Sequence, residues 1–157
     1  MKFKTFSISI PLRFRDLDAY GHVNHAEFFT FLETARVRLM DGEFERHMQT
    51  GPAFLVVSAT CHYRKPLTLQ DSCTVSLTVR NMKRTSFEVD YTVTDTAGDV
   101  CATAETRHGC FDPVAQRPTR LPQWFIDIVA EPDIVAEGDG VAQSRHGAEP
   151  DRQSAET

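Results

Sequence analysis

No stretch of this 157-residue chain stays apolar for the roughly 20 residues that a membrane-crossing helix needs, so no span is expected. The start of the chain lacks a signal-peptide core as well, because its residues alternate in polarity and Arg13 and Arg15 interrupt them. Acidic residues outnumber basic ones, 22 to 17. A formal net charge of -5 argues against a nucleic-acid-binding surface, while leaving room for a local basic cluster that grips a phosphate-bearing ligand. Cys61, Cys73, Cys101 and Cys110 show no C-x-x-C spacing, and each falls in a strand-like run. They read as small buried or half-buried thiols of a reducing compartment, which makes the cytoplasm the expected location. His22 and His25 have no third residue at a convincing ligand spacing, so no metal is expected. No internal repeat of about 20 to 50 residues is found.

What is present is enough apolar residue, 41%, for one filled core, in a chain too short for two ordinary domains. Phe6, Ile8, Ile10, Leu12 and Phe14 alternate with polar residues, the period of a half-buried strand. Pro11 cannot donate a ladder hydrogen bond, which puts that strand at an edge or at a bulge. Alternation returns at Ala53, Leu55, Val57, Ala59, Cys61 and Tyr63, then at Cys73, Val75, Leu77 and Val79, and at Phe87, Val89, Tyr91 and Val93. A weaker run covers 100–110. Turn signals at 65–71, 83–86 and 95–99 are short enough to imply antiparallel neighbours. A helix is expected over about 25–40, with Phe28, Leu32, Ala35 and Leu39 as its stripe and Phe29, Phe31 and Met40 flanking it. A break follows at Asp41 and Gly42, with another turn through Met48. A short helix over 121–129 would present Trp124, Phe125 and Ile128. The expected class is α+β, one long helix wrapped by a curved five-stranded antiparallel sheet, in a domain spanning 1–130. Residues 131–157 read as a mobile tail without a role in chemistry. One helix on a one-sided sheet leaves edges uncovered, so a homodimer or homotetramer is expected.

The most informative stretch runs from Asp18 through Gly21, His22, Val23 and Asn24 to His25. Asn24 reads as an N-cap and Glu27 as its capping-box partner, so the helix starts at His25 with free N–H groups turned toward Asp18. Such groups favour negative charge. A polarised carbonyl oxygen resting on them, with a carboxylate to attack or to activate water, is the pairing that acyl transfer requires. The plainer reading of Asp18 is a turn carboxylate capping local amides. Asp16 reads as an ion-pair partner of Arg15 or Arg36. Arg36 itself falls in the apolar arc of the helix, where an i,i+3 pair with Glu33 would satisfy it.

Together, the D-x-D-x-x-G-H-V-N pattern from Asp16 to Asn24 and the helix that carries Glu33 and Arg36 resemble the hot-dog-fold thioesterases of the 4-hydroxybenzoyl-CoA thioesterase type, over about residues 4–130. The resemblance implies hydrolysis of acyl thioesters of CoA, or in some branches of acyl carrier protein, with no cofactor and with active sites at a dimer interface. It makes Asp18 the catalytic carboxylate, general base or nucleophile, with the backbone of Gly21, Val23 and Asn24 as the oxyanion site. His22 then either donates to the thioester oxygen or leaving thiolate or orients the loop. Glu33 would orient water across the dimer. The basic turn of Lys83, Arg84, Thr85 and Ser86 is either a solvated hairpin tip or, as the resemblance implies, a contact for nucleotide phosphates. Tyr63, Arg64 and Lys65 would rim the pocket, and Val57 and Ser58 would line its acyl end. Two other readings use the same fold. A hydroxyacyl dehydratase needs an H-F-P-G-type loop that is missing, and a binding module would hold acyl-CoA or a carrier protein without turnover.

Overall fold

The computed structural model describes residues 1–40, 42–47 and 51–132. In chain order the elements are β1 (Thr5–Pro11), a 3-10 turn (Phe14–Asp16), α1 (His25–Leu39), α2 (Glu43–His47), β2 (Ala53–Tyr63), β3 (Ser72–Arg80), β4 (Ser86–Thr94), β5 (Val100–Asp112), β6 (Arg117–Pro118) and α3 (Gln123–Val129). The strands make one antiparallel sheet in the order β1-β3-β4-β5-β2, curled around α1. The two-residue β6 pairs antiparallel with the end of β5 and is too short to leave an alternating pattern in the sequence. Met48 and residues 133–157, which hold almost all of the expected tail, lie outside the described residues.

Alternation decides the layers. β3 buries Cys73, Val75, Leu77 and Val79, and β4 buries Phe87, Val89, Tyr91 and Val93. Helix α1 meets them with Phe28, Phe31, Leu32, Ala35 and Leu39. Each fully buried Val, Leu or Phe among them contributes about 2 kcal/mol. Phe29, expected to flank that stripe, is instead 38% exposed, because it sits about 100° around the helix from Phe28. At the far end, Phe125 of α3 packs on Phe54 and Phe87. Cys73, Cys101 and Cys110 are buried, Cys61 is half-buried, and all four are free thiols. Among the described residues no helix is long and apolar enough to cross a membrane.

Two strands depart from simple alternation. β1 pairs with β3 alone, and Pro11 ends it opposite Ser72, so the proline is accommodated at an edge. β2 is the other edge, pairing with β5 alone. The sequence pattern puts Ala53, Leu55 and Val57 inward, yet Leu55 is 48% and Val57 64% exposed. The register with β5 slips between Val56 and Ser58. A one-residue slip exchanges the two faces of a strand. Before the bulge Phe54 packs on the core and Val56 lines a cavity under α1, and after it Cys61 packs on the core.

One chain of polar groups crosses the core. Arg36 Nη1 donates to the Tyr91 hydroxyl at 2.9 Å, that hydroxyl lies 2.9 Å from Thr106 Oγ1, and Oγ1 lies 2.7 Å from His108 Nε2. Arg36 thus finds its partner in Tyr91, whose ring centroid lies 6.0 Å from the guanidinium carbon, and the expected Glu33–Arg36 pair is not formed. The His108 ring stacks on Phe87 and is 1% exposed. Burial, with Arg36 nearby, pushes its pKa from 6.5 down to about 4. Above pH 6.5 neither folded nor unfolded imidazole is charged, so the shift has no effect on stability there. Below it the unfolded chain takes up a proton that the folded ring refuses, so stability falls from pH 6.5 toward about 4, by about 3 kcal/mol in total. Chemical denaturation across that range should therefore show a shallower loss for His108→Phe than for the parent; equal slopes would mean the ring is not held neutral.

Candidate active site

The turn before α1 is built around one carboxylate. Leu17 and Val23 pair as an isolated antiparallel bridge, and the Asp18 N–H donates to the His22 carbonyl at 2.7 Å. Inside this small loop the Gly21 N–H donates to the Asp18 carbonyl at 3.1 Å, with Gly21 at φ +76°, the left-handed region that glycine enters without a Cβ penalty. Asp18 Oδ1 accepts the N–H groups of Tyr20 at 2.9 Å and His22 at 3.2 Å. Both bonds fall on one carboxylate oxygen. Asp18 therefore caps local amides, as the plainer reading has it, while Oδ2 takes no hydrogen bond among the described residues and the residue borders a cavity.

That cavity, about 330 Å³, is bounded by Asp18, His22, His25, Phe28, Tyr63 and Arg64, among others. The Tyr63 hydroxyl donates to the His25 carbonyl at 2.8 Å, and the Tyr63 ring meets Phe28 edge-on at 5.2 Å. Desolvation, with Cys61 beside it, raises the Tyr63 phenol to about 12, so it remains a donor at neutral pH. Asn24 caps the helix, accepting the Ala26 N–H at 3.0 Å. The expected return bond from the Glu27 side chain is replaced, because the Asn24 N–H donates to the Asp16 carbonyl at 2.8 Å.

Gly21, Val23 and Asn24 do not offer free amides. Their N–H groups donate to the carbonyls of Asp18, Leu67 and Asp16. The first helical residue, His25, has an N–H with no acceptor among the described residues, and His25 borders the same cavity as Asp18. The open amide thus lies one to four residues beyond those that the helix-start pattern suggests. Asp16 also differs from expectation. It is 1% exposed and pairs with Arg13, through Nη2 at 2.9 Å and the Arg13 N–H at 2.8 Å, instead of with Arg15 or Arg36. Burial opposes its charge, but these Arg13 bonds outweigh it and leave the Asp16 pKa lowered.

The remaining candidates separate. Arg64 is exposed on the cavity rim and has no ion-pair partner among the described residues, whereas Lys65 is bound to Asp95 at 2.9 Å and Asp99 at 2.6 Å. Tyr63 pairs with Ala102 at one end of β5, while Ser86 pairs with Gly109 near the other. At a rise of about 3.3 Å per residue, the Lys83, Arg84, Thr85 and Ser86 turn lies about 23 Å along the sheet from Tyr63. Glu33 stands eight positions after His25, about 12 Å along the helix, and borders a different cavity with Arg36, Phe54, Val56 and His108. Val56 lines that cavity in place of Val57. Val57 is exposed on the edge strand and Ser58 sits in a groove with Arg80, Glu88 and Glu105; neither borders the Asp18 cavity or the one under α1. Among the described residues no group of three His, Cys, Asp or Glu side chains is placed to hold a metal ion.

The sequence profile of the thioesterase-like superfamily matches residues 12–129, most of the domain and all of the site. The chain belongs to that superfamily. It is an enzyme of the thioester-hydrolase class on a hot-dog fold. This thioesterase is 28% identical to the acyl-CoA thioester hydrolase YbgC of Escherichia coli O6:H1 over 134 residues, 83% of this chain and 98% of that one. It is 30% identical to the long-chain acyl-CoA thioesterase FadM of Escherichia coli K12, over 71% of this chain and 87% of FadM. A Thermus thermophilus thioesterase solved in complex with coenzyme A superposes with a TM-score of 0.65 at 28% identity, covering 78% of this chain and 90% of that one.

Proposed function

We propose that this thioesterase hydrolyses acyl-CoA thioesters to the free acid and CoA, with Asp18 as the carboxylate that takes a proton from attacking water or attacks the thioester carbon itself. The observation that carries the reading is that Asp18 and His25, whose N–H has no acceptor among the described residues, border one cavity. On the general-base route, the water oxygen bonds to the carbonyl carbon as its proton passes to Asp18. The oxyanion rests on the His25 N–H at the positive end of α1. Collapse breaks the C–S bond, and the proton returns to the departing thiolate, for which His22 on the same cavity is a second donor. CoA as the carrier is supported by what the relatives are named for and by the coenzyme A complex of the Thermus protein. Release of free thiol from acyl-CoAs of graded length tests the reading, and binding without release would replace it with the binding module.

The same reading uses two copies. The outer edge of β2 is unpaired among the described residues and carries exposed Leu55, Val56 and Val57. Antiparallel pairing of two such edges about a two-fold sets the Tyr63 end of one β2 beside the Ala53 end of the other. Asp18 then faces Glu33 of the partner subunit, and the partner's basic turn at 83–86 comes to the side where one subunit keeps it far away. Replacing Lys83 and Arg84 by Ala should raise KM for CoA thioesters on the order of tenfold and change kcat less, since remote phosphate contacts serve ground and transition states alike. A pantetheine thioester, lacking the nucleotide, should be little affected. Equal losses on both substrates would remove these cations from the nucleotide site.

A further inference from the structure

We propose that the cavity between α1 and the sheet receives the far end of the acyl group, and that His108 selects acyl groups ending in an oxygen that accepts a hydrogen bond. This rests on the thioester-hydrolase reading and names the substrate class of that site.

The cavity measures about 120 Å³. A buried apolar cavity of about 150 Å³ takes benzene, so this one suits a small ring or a short chain end. Its walls include Phe54, Val56, Phe87 and Phe125, and His108 is a polar side chain among them. His108 Nδ1 is buried and has no hydrogen-bond partner, alone among the described residues in that respect.

The polar chain fixes what that nitrogen carries. Arg36 only donates, so the Tyr91 oxygen accepts from it. The Tyr91 proton then has Thr106 Oγ1 as its acceptor, which turns the Thr106 proton toward His108 Nε2. In this direction the Tyr91 and Thr106 protons both find acceptors within the chain, and only the His108 proton is left over. The neutral ring therefore holds its single proton on Nδ1, as a buried, unpaired donor on a side chain that lines a mostly apolar cavity. The depressed pKa of His108 agrees with a ring that stays neutral. A hydrocarbon end leaves that donor without an acceptor, whereas a hydroxyl or carboxylate oxygen supplies one. A site built around a buried donor discriminates strongly against the analogue that lacks its partner.

Access comes from the β2 side. Glu33, Met40 and Phe54 border both this cavity and an outer one of about 290 Å³. In the two-fold arrangement proposed above, that mouth faces the reaction site of the other subunit. Arg36, without a carboxylate partner among the described residues, also lines the cavity and would favour a carboxylate over a hydroxyl.

The test compares kcat/KM for hexanoyl-CoA, 6-hydroxyhexanoyl-CoA and adipoyl-CoA on the parent, His108→Phe and Thr106→Val. The parent should prefer at least one oxygen-ended substrate about tenfold or more over hexanoyl-CoA. That ratio should fall toward one in His108→Phe. In Thr106→Val, which keeps the side-chain shape but no longer assigns the proton to Nδ1, it should fall part of the way. Whether the hydroxyl or the carboxylate leads tells which oxygen is read, and either supports the proposal. A parent ratio near one with hexanoyl-CoA hydrolysed would mean that Nδ1 does not read the acyl end, and an unchanged ratio in His108→Phe would remove His108 as the reader; both overturn it while leaving the hydrolase reading intact. If the parent hydrolyses none of the three and no other acyl-CoA, both readings fall together. Should His108→Phe fail to fold, Thr106→Val decides: an unchanged ratio there overturns the proposal.

Discussion

Asp18→Asn should lower thioester hydrolysis about 100-fold or more while leaving melting temperature and oligomeric state close to those of the parent. The turn explains why the two effects separate. Both hydrogen bonds that the side chain receives, from the Tyr20 and His22 N–H groups, fall on Oδ1. An Asn oxygen in the same place accepts both, so the loop and the Leu17–Val23 bridge keep their supports. What Asn cannot do is take a proton from water or attack a thioester carbon, because the neutral amide is neither a useful base nor a nucleophile. Substrate binding should survive. Single-turnover thiol release together with a thermal melt measures both properties, and near-parental turnover in the Asn variant would reduce Asp18 to a turn residue.

Replacing Leu55 and Val57 together by Lys should convert the proposed dimer to monomers and take most of the activity with it. Both side chains are exposed on an edge strand, so neither loses a core contact within its own subunit. Lysine on an exposed edge opposes pairing with another edge by charge and by hydration. If the reaction site is completed by Glu33 and the basic turn of a partner subunit, separated chains keep Asp18 but lose what faces it, and kcat/KM should drop on the order of 100-fold. Sedimentation at micromolar concentration and thiol release give the two readings. A variant that stays dimeric, or a monomer with full turnover, would show that β2 is not the joint.

Much of this was legible in the sequence because the signals were local. Alternation located β3 and β4 to within a residue or two, the Asn24 cap began α1 at His25, and Pro11 announced an edge. What escaped depended on partners distant in the chain. The Val23 and Asn24 amides looked open because their acceptors, Leu67 and Asp16, cannot be inferred from spacing. Arg36 looked like a partner for Glu33 because both lie on one helix, whereas Tyr91 arrives from 55 residues away. His108 was within reach. It shares the inward register of Ala102, Ala104, Thr106 and Cys110, and following the weak run over 100–110 residue by residue places it in the core.

The bulge at Val57 makes strand length, more than side-chain identity, the variable that this protein cannot change freely. On one side of it β2 supplies Phe54 and Val56 to the cavity under α1, and on the other it supplies Cys61 to the core and Tyr63 to the helix terminus. Deleting a single residue there would restore strict alternation and force a choice: whichever half kept its place against β5, the other would turn inside out. Substitutions at position 57 reach mainly an exposed surface, but a one-codon deletion would uncouple the end of the strand that lines the cavity under α1 from the end that meets the helix terminus. Families that diverge by insertion and deletion would on this account be expected to conserve the count of residues between Phe54 and Tyr63 while letting the residue at the bulge drift.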